Sequence, residues 1–343
     1  MTASPTVTIA DVARHAGVAV STVSYVLSGK RTISATTRQR VLTSIRTLGY
    51  HPHAGARALA SKRSNVIALV LPLRAGMHLP VLMQFATTVV TTARLHEHDV
   101  LLVTADEGEA GLRRVAASAL VDGLVVMDVE LHDRRTPVLR ELTRPSVLIG
   151  FPADSAGLTC VDLDFAAAGA RCVEHLSALG HREVALLGAP QVVYDRNTGY
   201  ALRTRAGFGR AAQELGLAAI ALPCEESADA VHAEVAELLE QRPGLTGLVV
   251  HNEAAVSHVL TALAALDRRV PQDISVVAIC PDELAERVSP ALTSVLIPAE
   301  EVGHHAVTLL MRKMSGGDRA AVPEATLLEP RLTIRASTAA PPG

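Results

Sequence analysis

TIADVARHAGVAVSTVSYVLS, residues 8–28, spells two short helices with a glycine stop between them. Thr8 is placed to cap the first helix, and Asp11 falls in its first turn, where the helix dipole favours an anion. Ile9, Val12, Ala13 and Ala16 then recur at helical spacing. Gly17 ends the helix because it takes positive φ without a Cβ clash. A second helix is expected from Val20 to Leu27, with Val23, Val26 and Leu27 inward and Val20, Ser21, Ser24, Tyr25 and Ser28 outward. Unless Ser21 caps a later start, this helix has only Ala19 at its cap, a loss of about 1 kcal/mol against a capping oxygen.

Working outward, Gly29-Lys30-Arg31 breaks the pattern, and a third helix is expected over about Ser34 to Leu48. Its apolar stripe is Val41, Leu42, Ile45 and Leu48, and Gly49 is its stop. Two short helices around a glycine turn, closed by a third, make a helix-turn-helix head over residues 6–50. The second helix begins with small residues, as a helix must to enter a major groove about 12 Å wide and touch base edges. Arg14, Lys30, Arg31, Arg38 and Arg40 flank it and can neutralise phosphates.

The charge distribution agrees. Residues 1–63 hold nine Lys and Arg against the single acid Asp11, net +8, while the remainder holds 23 bases against 34 acids, net −11. A basic head on an acidic body points to a polyanion that meets the head alone. The 343 residues suffice for two or three compact units, and 49% apolar content excludes global disorder. Aromatics are only 2%, so Ala, Val and Leu build the core. No apolar run approaches the roughly 20 residues of a membrane span, and the start MTASPTVTIADVARHAG lacks the pattern of an export signal. Cys160, Cys172, Cys224 and Cys280 are scattered without metal or redox spacing, which fits a reduced, cytoplasmic protein.

The spacing DVA-x-x-AGV-x-x-STVS resembles the DNA-binding head of the lactose-repressor (LacI/GalR) family nearly residue for residue. The resemblance implies a homodimer on a palindromic double-stranded operator. It places Val20, Ser21 and Tyr25 at base-contacting positions, and Thr8, Thr22, Ser24, Arg31 and Arg38 with them at the DNA. Where the family commonly has Arg this chain has Tyr25, which offers one hydroxyl and no bidentate fork, so an altered operator sequence is implied. Tyr25 as a head-packing residue is the alternative.

Residues 51–65 form a hinge. Pro52 suits a first helical turn, but the stretch is too short to hold as an isolated helix and Gly55 weakens it. The resemblance implies that this segment becomes helical beside its dimer mate in the minor groove, with His53 and Ala56 at the DNA and Leu59 as the wedge that kinks the duplex.

From 66 to 337 apolar β-type runs alternate with helical segments, from Val66–Leu71 through Ser275–Cys280. This rhythm predicts an α/β core with parallel sheets covered on both faces. The two series imply two lobes resembling a periplasmic binding protein, one over about 66–155 plus 293–318 and the other over about 160–285 plus 325–337. The family resemblance implies that the chain crosses between the lobes three times, near Phe151–Asp162, Pro281–Leu292 and Gly316–Glu329. Ligands of such sheets bind beyond the strands' carboxyl ends, here between the lobes. By resemblance Asp195–Gly199 is an effector-contact loop, with Arg196 and Thr198 at the ligand and Asn252, Asp282 and Phe151 beside them. Phe151, Tyr194 and Tyr200 are the aromatics available to stack on a sugar. The chain departs from the family at Cys280, where an effector Asp is usual, with Asp282 two residues on. It departs again at Thr204, in place of Arg, and at Glu253, in place of Asp.

Other classes fare worse. There is no Gly-rich phosphate loop, His96-Glu97-His98 and His304-His305 lack metal-ligand spacing, and no nucleophile set is identifiable, so no catalytic residue, metal or cofactor is expected. A solute-binding protein would lack the head. A regulator whose core no longer senses any ligand stays open. The reading reached is a DNA-binding repressor whose operator affinity follows a small-molecule effector, a sugar or related metabolite.

Overall fold

The computed structural model describes residues 7–28, 31–50, 63–316 and 324–342. The expected hinge contacts His53, Ala56 and Leu59 lie outside these residues.

In the head, α1 (Ile9–Ala16) starts on a reciprocal cap. The Asp11 N–H donates to Thr8 Oγ1 at 3.3 Å and the Thr8 N–H to Asp11 Oδ2 at 2.9 Å. Gly17 closes α1 in the left-handed region, φ 62°. Helix α2 (Val20–Ser28) begins directly after Ala19, whose carbonyl accepts from Thr22 and Val23, so Ser21 does not act as a later cap. Helix α3 (Ala35–Leu48) is capped by Ser34 Oγ, which accepts from the Thr37 N–H at 3.3 Å. Val12, Ala13, Ala16, Val23, Val41 and Tyr50 form the buried core. Leu42 departs from the expected stripe and is exposed. Ser44 takes the buried place and ties α1 to α3: its hydroxyl donates to the Arg40 carbonyl at 2.9 Å, so His15 Nδ1, also at 2.9 Å, serves as donor to it.

The core consists of two six-stranded sheets. In chain order its elements are β1 (Val66–Val70), α4 (Leu79–Leu95), β2 (Asp99–Val103), α5 (Gly108–Ala117), β3 (Gly123–Val126), α6 (Arg135–Glu141), β4 (Ser146–Ile149) and β5 (Cys160–Leu163). There follow α7 (Phe165–Ala178), β6 (Glu183–Leu187), α8 (Gln191–Asp195), α9 (Gly199–Glu214), β7 (Ala218–Leu222), α10 (Ala228–Gln241), β8 (Gly247–Val250) and α11 (Val256–Ala265). The chain ends with β9 (Ser275–Cys280), α12 (Asp282–Arg287), β10 (Thr293–Leu296), α13 (Ala299–Ser315), β11 (Ala325–Leu328) and β12 (Leu332–Thr333). Strand order is β11-β5-β4-β3-β1-β2 in one sheet and β12-β10-β9-β8-β6-β7 in the other. Strands β1, β3, β4, β5 and β11 pair in parallel in the first sheet and β6 to β10 in the second, where β12 runs antiparallel to β10. The central strands β3, β4 and β8 are buried along their whole length, as sheets covered on both faces require.

Strand pairing moves the lobe boundaries from where the apolar rhythm put them. Residues Cys160–Leu163 are a strand of the first sheet, and the chain leaves that lobe only at Asp164. Residues 293–296, assigned above to the first lobe, pair with β9 in the second sheet, so that crossing falls at 297–298. Residues 325–328, assigned to the second lobe, pair with β5 in the first, so the last crossing is 329–331. The physical reason is a broken apolar run: β5 (CVDL), β10 (TSVL) and β11 (ATLL) each carry Asp, Ser or Thr within four residues, whereas the equally short β3 and β8 (both GLVV) are apolar throughout.

The second lobe rests on close contact between α7 and α9. A Cβ on Gly207 would run into the Ala166 carbonyl oxygen, and one on Gly169 into that of Thr204. Thr204 is fully buried there with its hydroxyl donated to the Tyr200 carbonyl at 3.0 Å, and a longer side chain has no room. Gly207→Ala should therefore destabilise the core by about 1–3 kcal/mol, read as a lower melting temperature by circular dichroism. An unchanged melting temperature contradicts this packing.

Candidate functional site

Two sites emerge, one on the head and one in the core. On the head, the start of α2 presents Val20 and Ser21 to solvent, with Thr22, Ser24 and Tyr25 half-buried behind them. Arg31 and Arg38 are exposed nearby in sequence, and the Arg31 guanidinium lies over the Tyr25 ring, 5.8 Å from its centroid. Thr8 is exposed, but its hydroxyl donates to Asp11 at 2.6 Å. Hydrogen bonds from Thr8 hold the Asp11 carboxyl below its ordinary range, with Arg14 assisting.

In the core, a cleft opens between the lobes, lined by residues from both, with a cavity of about 100 Å³. Its inner wall is a triad of rings: Phe165, Tyr200 and His251, each pair with centroids 5.6 Å apart. Its polar lining is Asp128, Asp162, Glu253, His78 and His251, together with Tyr200. Burial pushes the carboxyls of Asp162 and Glu253 up to about 7 each. For Asp162 the backbone N–H of Leu163 and the charge of Arg203 partly oppose this, while Asp164 adds to it. For Glu253 the neighbouring charge of Glu226 adds to it. Burial raises Asp128 as well, against the pull of Arg74, Arg196 and Arg135. It lowers His251 to about 4, keeping that ring neutral, and its Nδ1 is buried without a partner.

The lobes are joined at the cleft's rim by a fixed set of bonds. Arg74 donates to Asp106 at 2.9 and 3.0 Å, to Asp128 at 2.9 Å and to Glu130 at 2.8 Å. Arg135 grips Asp133 with two parallel bonds of 2.9 and 2.7 Å and also donates to the Asp128 carbonyl at 2.7 Å. Residues 129–131, thus held, meet 197–199 of the other lobe: Glu130 bridges Thr198, the Leu131 N–H donates to Asn197 and the Gly199 N–H to Val129. Asp128 and Asn197, at the junction, both take left-handed backbone, φ 53° and 58°. Such conformations cost about 1 kcal/mol or more and persist where the surroundings over-determine them.

Arg196 and Thr198 are the sequence-expected effector residues that the structure brings to this junction. Arg196 reaches across with Nη1 donated to the Ala75 carbonyl at 2.8 Å, leaving its Nε and Nη2 buried without partners. Thr198 is fully buried with an unpartnered hydroxyl. The other three are not in the cleft lining. Asp282 instead pairs with Arg335 at 2.7 Å and holds the C-terminal segment to α12. Asn252 donates to the Cys224 carbonyl at 2.7 Å and accepts from the Ala254 N–H at 3.1 Å, so its amide holds a loop. Phe151 contributes its carbonyl, which accepts from Arg203 at 2.6 Å. Of the stacking candidates only Tyr200 lines the cleft; Tyr194 lies under Arg205, 4.5 Å from its ring centroid. Sequence reasoning missed Asp128, Asp162, His251 and Phe165 as cleft residues. The one available signal was their place at the carboxyl ends of β3, β5 and β8.

Residues 8–53 match the family described as bacterial regulatory proteins of the lacI family, and residues 173–338 match a periplasmic binding protein-like domain. The chain thus joins a lacI-family head to a periplasmic binding protein-like domain. The chain is 27% identical over 315 residues to catabolite control protein A of Priestia megaterium, covering 90% of this chain and 93% of that one. It is similar to the solved transcriptional regulator CelR–cellobiose complex, with 26% identity, a TM-score of 0.69, and coverage of 96% of this chain and 99% of that one. Its fold also matches a lac repressor dimer bound to operator and the anti-inducer ONPF, with a TM-score of 0.83 at 24% identity, over 98% of this chain and 100% of that one. No helix among the described residues is long and apolar enough to cross a membrane.

The raised carboxyls make the cleft pH-sensitive. Asp162 and Glu253 bind protons more tightly in the folded core than in an unfolded chain, so they stabilise the fold at low pH, and that contribution is lost as pH rises through about 7. His251 acts in the opposite sense, because unfolding lets it charge below its ordinary range. The double variant Asp162→Asn, Glu253→Gln isolates the first effect. Its melting temperature relative to wild type should climb between about pH 5 and about pH 8; a constant difference contradicts the assignment.

Proposed function

We propose that this chain is a cytoplasmic, sequence-specific transcriptional repressor of the lacI family. It acts as a homodimer on a palindromic operator, its DNA affinity is set by a small molecule held between the core lobes, and it is not an enzyme. The observation that carries the reading is the exposed, small-residue start of α2 on a head that holds nearly all the positive charge excess of the chain. Val20, Ser21 and Tyr25 read base edges, while Thr8, Thr22, Ser24, Arg31 and Arg38 set the register on the backbone. His53 and Ala56 follow the minor groove, and Leu59 is the wedge. Tyr25 approaches DNA together with the Arg31 guanidinium on its face, so this pair offers a hydroxyl and a cation where a single Arg fork is commoner.

In the core the ligand meets Arg196 and Thr198 at the junction and Asp128, Asp162, Glu253 and His251 within. The buried, unpartnered polar atoms of Arg196, Thr198 and His251 favour a sensing core over one that no longer binds a ligand, because burying such groups without a partner is costly. A ligand that prefers one arrangement of the lobes shifts the population and with it the hinges and the operator affinity.

The test is selection of bound duplexes from random sequence, followed by affinity measurements at several salt concentrations. The expected consensus is a palindrome. Ser21→Ala should weaken it by about 1–3 kcal/mol at one position per half-site. Leu59→Ala should lower specific affinity while leaving nonspecific, salt-dependent binding intact, and Arg38→Ala should weaken all sequences and reduce the salt slope by about one per head. Enrichment of no sequence by the full-length protein overturns the proposal.

A further inference from the structure

The cleft carries an unbalanced charge pattern. Its lining holds three carboxylates, Asp128, Asp162 and Glu253, and among the described residues that line it there is no Lys or Arg. One of the three is matched: Asp128 is bonded to Arg74. Asp162 has Arg203 as its cationic neighbour, but that guanidinium donates to the carbonyls of Phe151 and Pro152, at 2.6 and 3.3 Å. For Glu253 the charge that bears on the carboxyl is that of Glu226, of the same sign. Beside them His251 is 2% exposed, lines the cleft, and has Nδ1 without a partner. The aromatic wall of Phe165, Tyr200 and His251 completes the enclosure.

A ligand that fills this space must supply the positive charge that the lining lacks. We infer that the effector of this cleft is a small polar molecule bearing a protonated amine, held between Asp162 and Glu253 with its face against the aromatic wall. The inference rests on the reading of the cleft as an effector site. A cation in low-dielectric surroundings is drawn to both carboxylates and to the ring faces. A ligand carboxylate or phosphate placed between Glu253 and Asp162 would meet like charge with no basic side chain in that part of the lining, Arg196 standing outside it at the junction. Burial leaves both carboxyls partly protonated near pH 7 in the empty cleft, and an amine, unlike a neutral polyol, draws them into the ionised form and pairs with it.

The experiment uses the full-length protein and matched series of probes on one skeleton. These are glucosamine, glucose and glucuronate; galactosamine, galactose and galacturonate; and mannosamine with mannose. Calorimetry and thermal shift near pH 7 read binding, and operator retention is measured in parallel. The expected result is that at least one amine binds about tenfold or more tighter than its neutral counterpart, and that no acid gives a measurable shift. In Glu253→Gln and Asp162→Asn, both near-isosteric, that preference should fall at least about fivefold, and circular dichroism of each variant checks that it is folded. A neutral or acidic member that binds as tightly as its amine overturns the inference, as does silence from every amine up to about 50 mM. These failures are separate from that of the repressor reading: an amine that occupies the cleft without altering operator retention counts against the regulator alone. A protein that selects an operator and prefers neutral sugars counts against the amine alone.

Discussion

Arg74 is the interaction on which the core arrangement depends. One guanidinium, mostly buried, gathers Asp106, Asp128 and Glu130 around it. Without that cation, Asp128 and Glu130 would repel each other, and residues 129–131 would lose the charge that fixes them opposite 197–199. Breaking a buried pair by removing one partner is strongly destabilising, because the remaining charge has neither water nor a partner. The left-handed backbone at Asp128 and Asn197 and the reach of Arg196 to Ala75 follow from that fixed junction. The network is better seen as setting a conformation than as adding net stability, since desolvation offsets much of its Coulombic gain.

The same economy explains why the cleft is polar and unsatisfied. Its walls are built by strand ends from both sheets, and the side chains there have been freed from structural duty by others that took it on. Arg203 and Asn252 secure loops through backbone carbonyls, and Asp282 secures the C-terminal segment through Arg335. That leaves Asp162, Glu253 and His251 to face the interior. A site whose polar groups await partners is prepared to discriminate ligands by charge and hydrogen bonding, where an apolar pocket discriminates chiefly by size.

The head was legible because its signals are local. Thr8 and Asp11 lie within one turn, Gly17 and Gly49 sit at helix ends, and the small residues of α2 are contiguous. Leu42 shows the limit, since Ser44 took the buried place through a bond to a carbonyl four residues back. In the core the long helices and buried strands were readable from apolar runs, but β5, β10 and β11, interrupted by polar residues, were not, and lobe boundaries moved with them. The cleft was the least legible part. Arg196 and Thr198 come from one contiguous loop, which resemblance could mark. Asp128, Asp162 and His251 come from three strand ends, brought together only by sheet order. Asp282, Asn252 and Phe151 are each engaged by a partner distant in sequence, which no spacing rule reveals.

The proposed regulation requires a second setting of the 129–131 and 197–199 junction, adopted when the cleft ligand displaces the operator, beside the bonded one seen here. Amide hydrogen exchange at the Leu131 and Gly199 N–H groups, which both donate across the junction, reports on it directly. The account predicts that protection of these two amides differs between the operator-bound dimer and the ligand-bound dimer. Equal protection in the two states, with the cleft shown to be occupied, would contradict it.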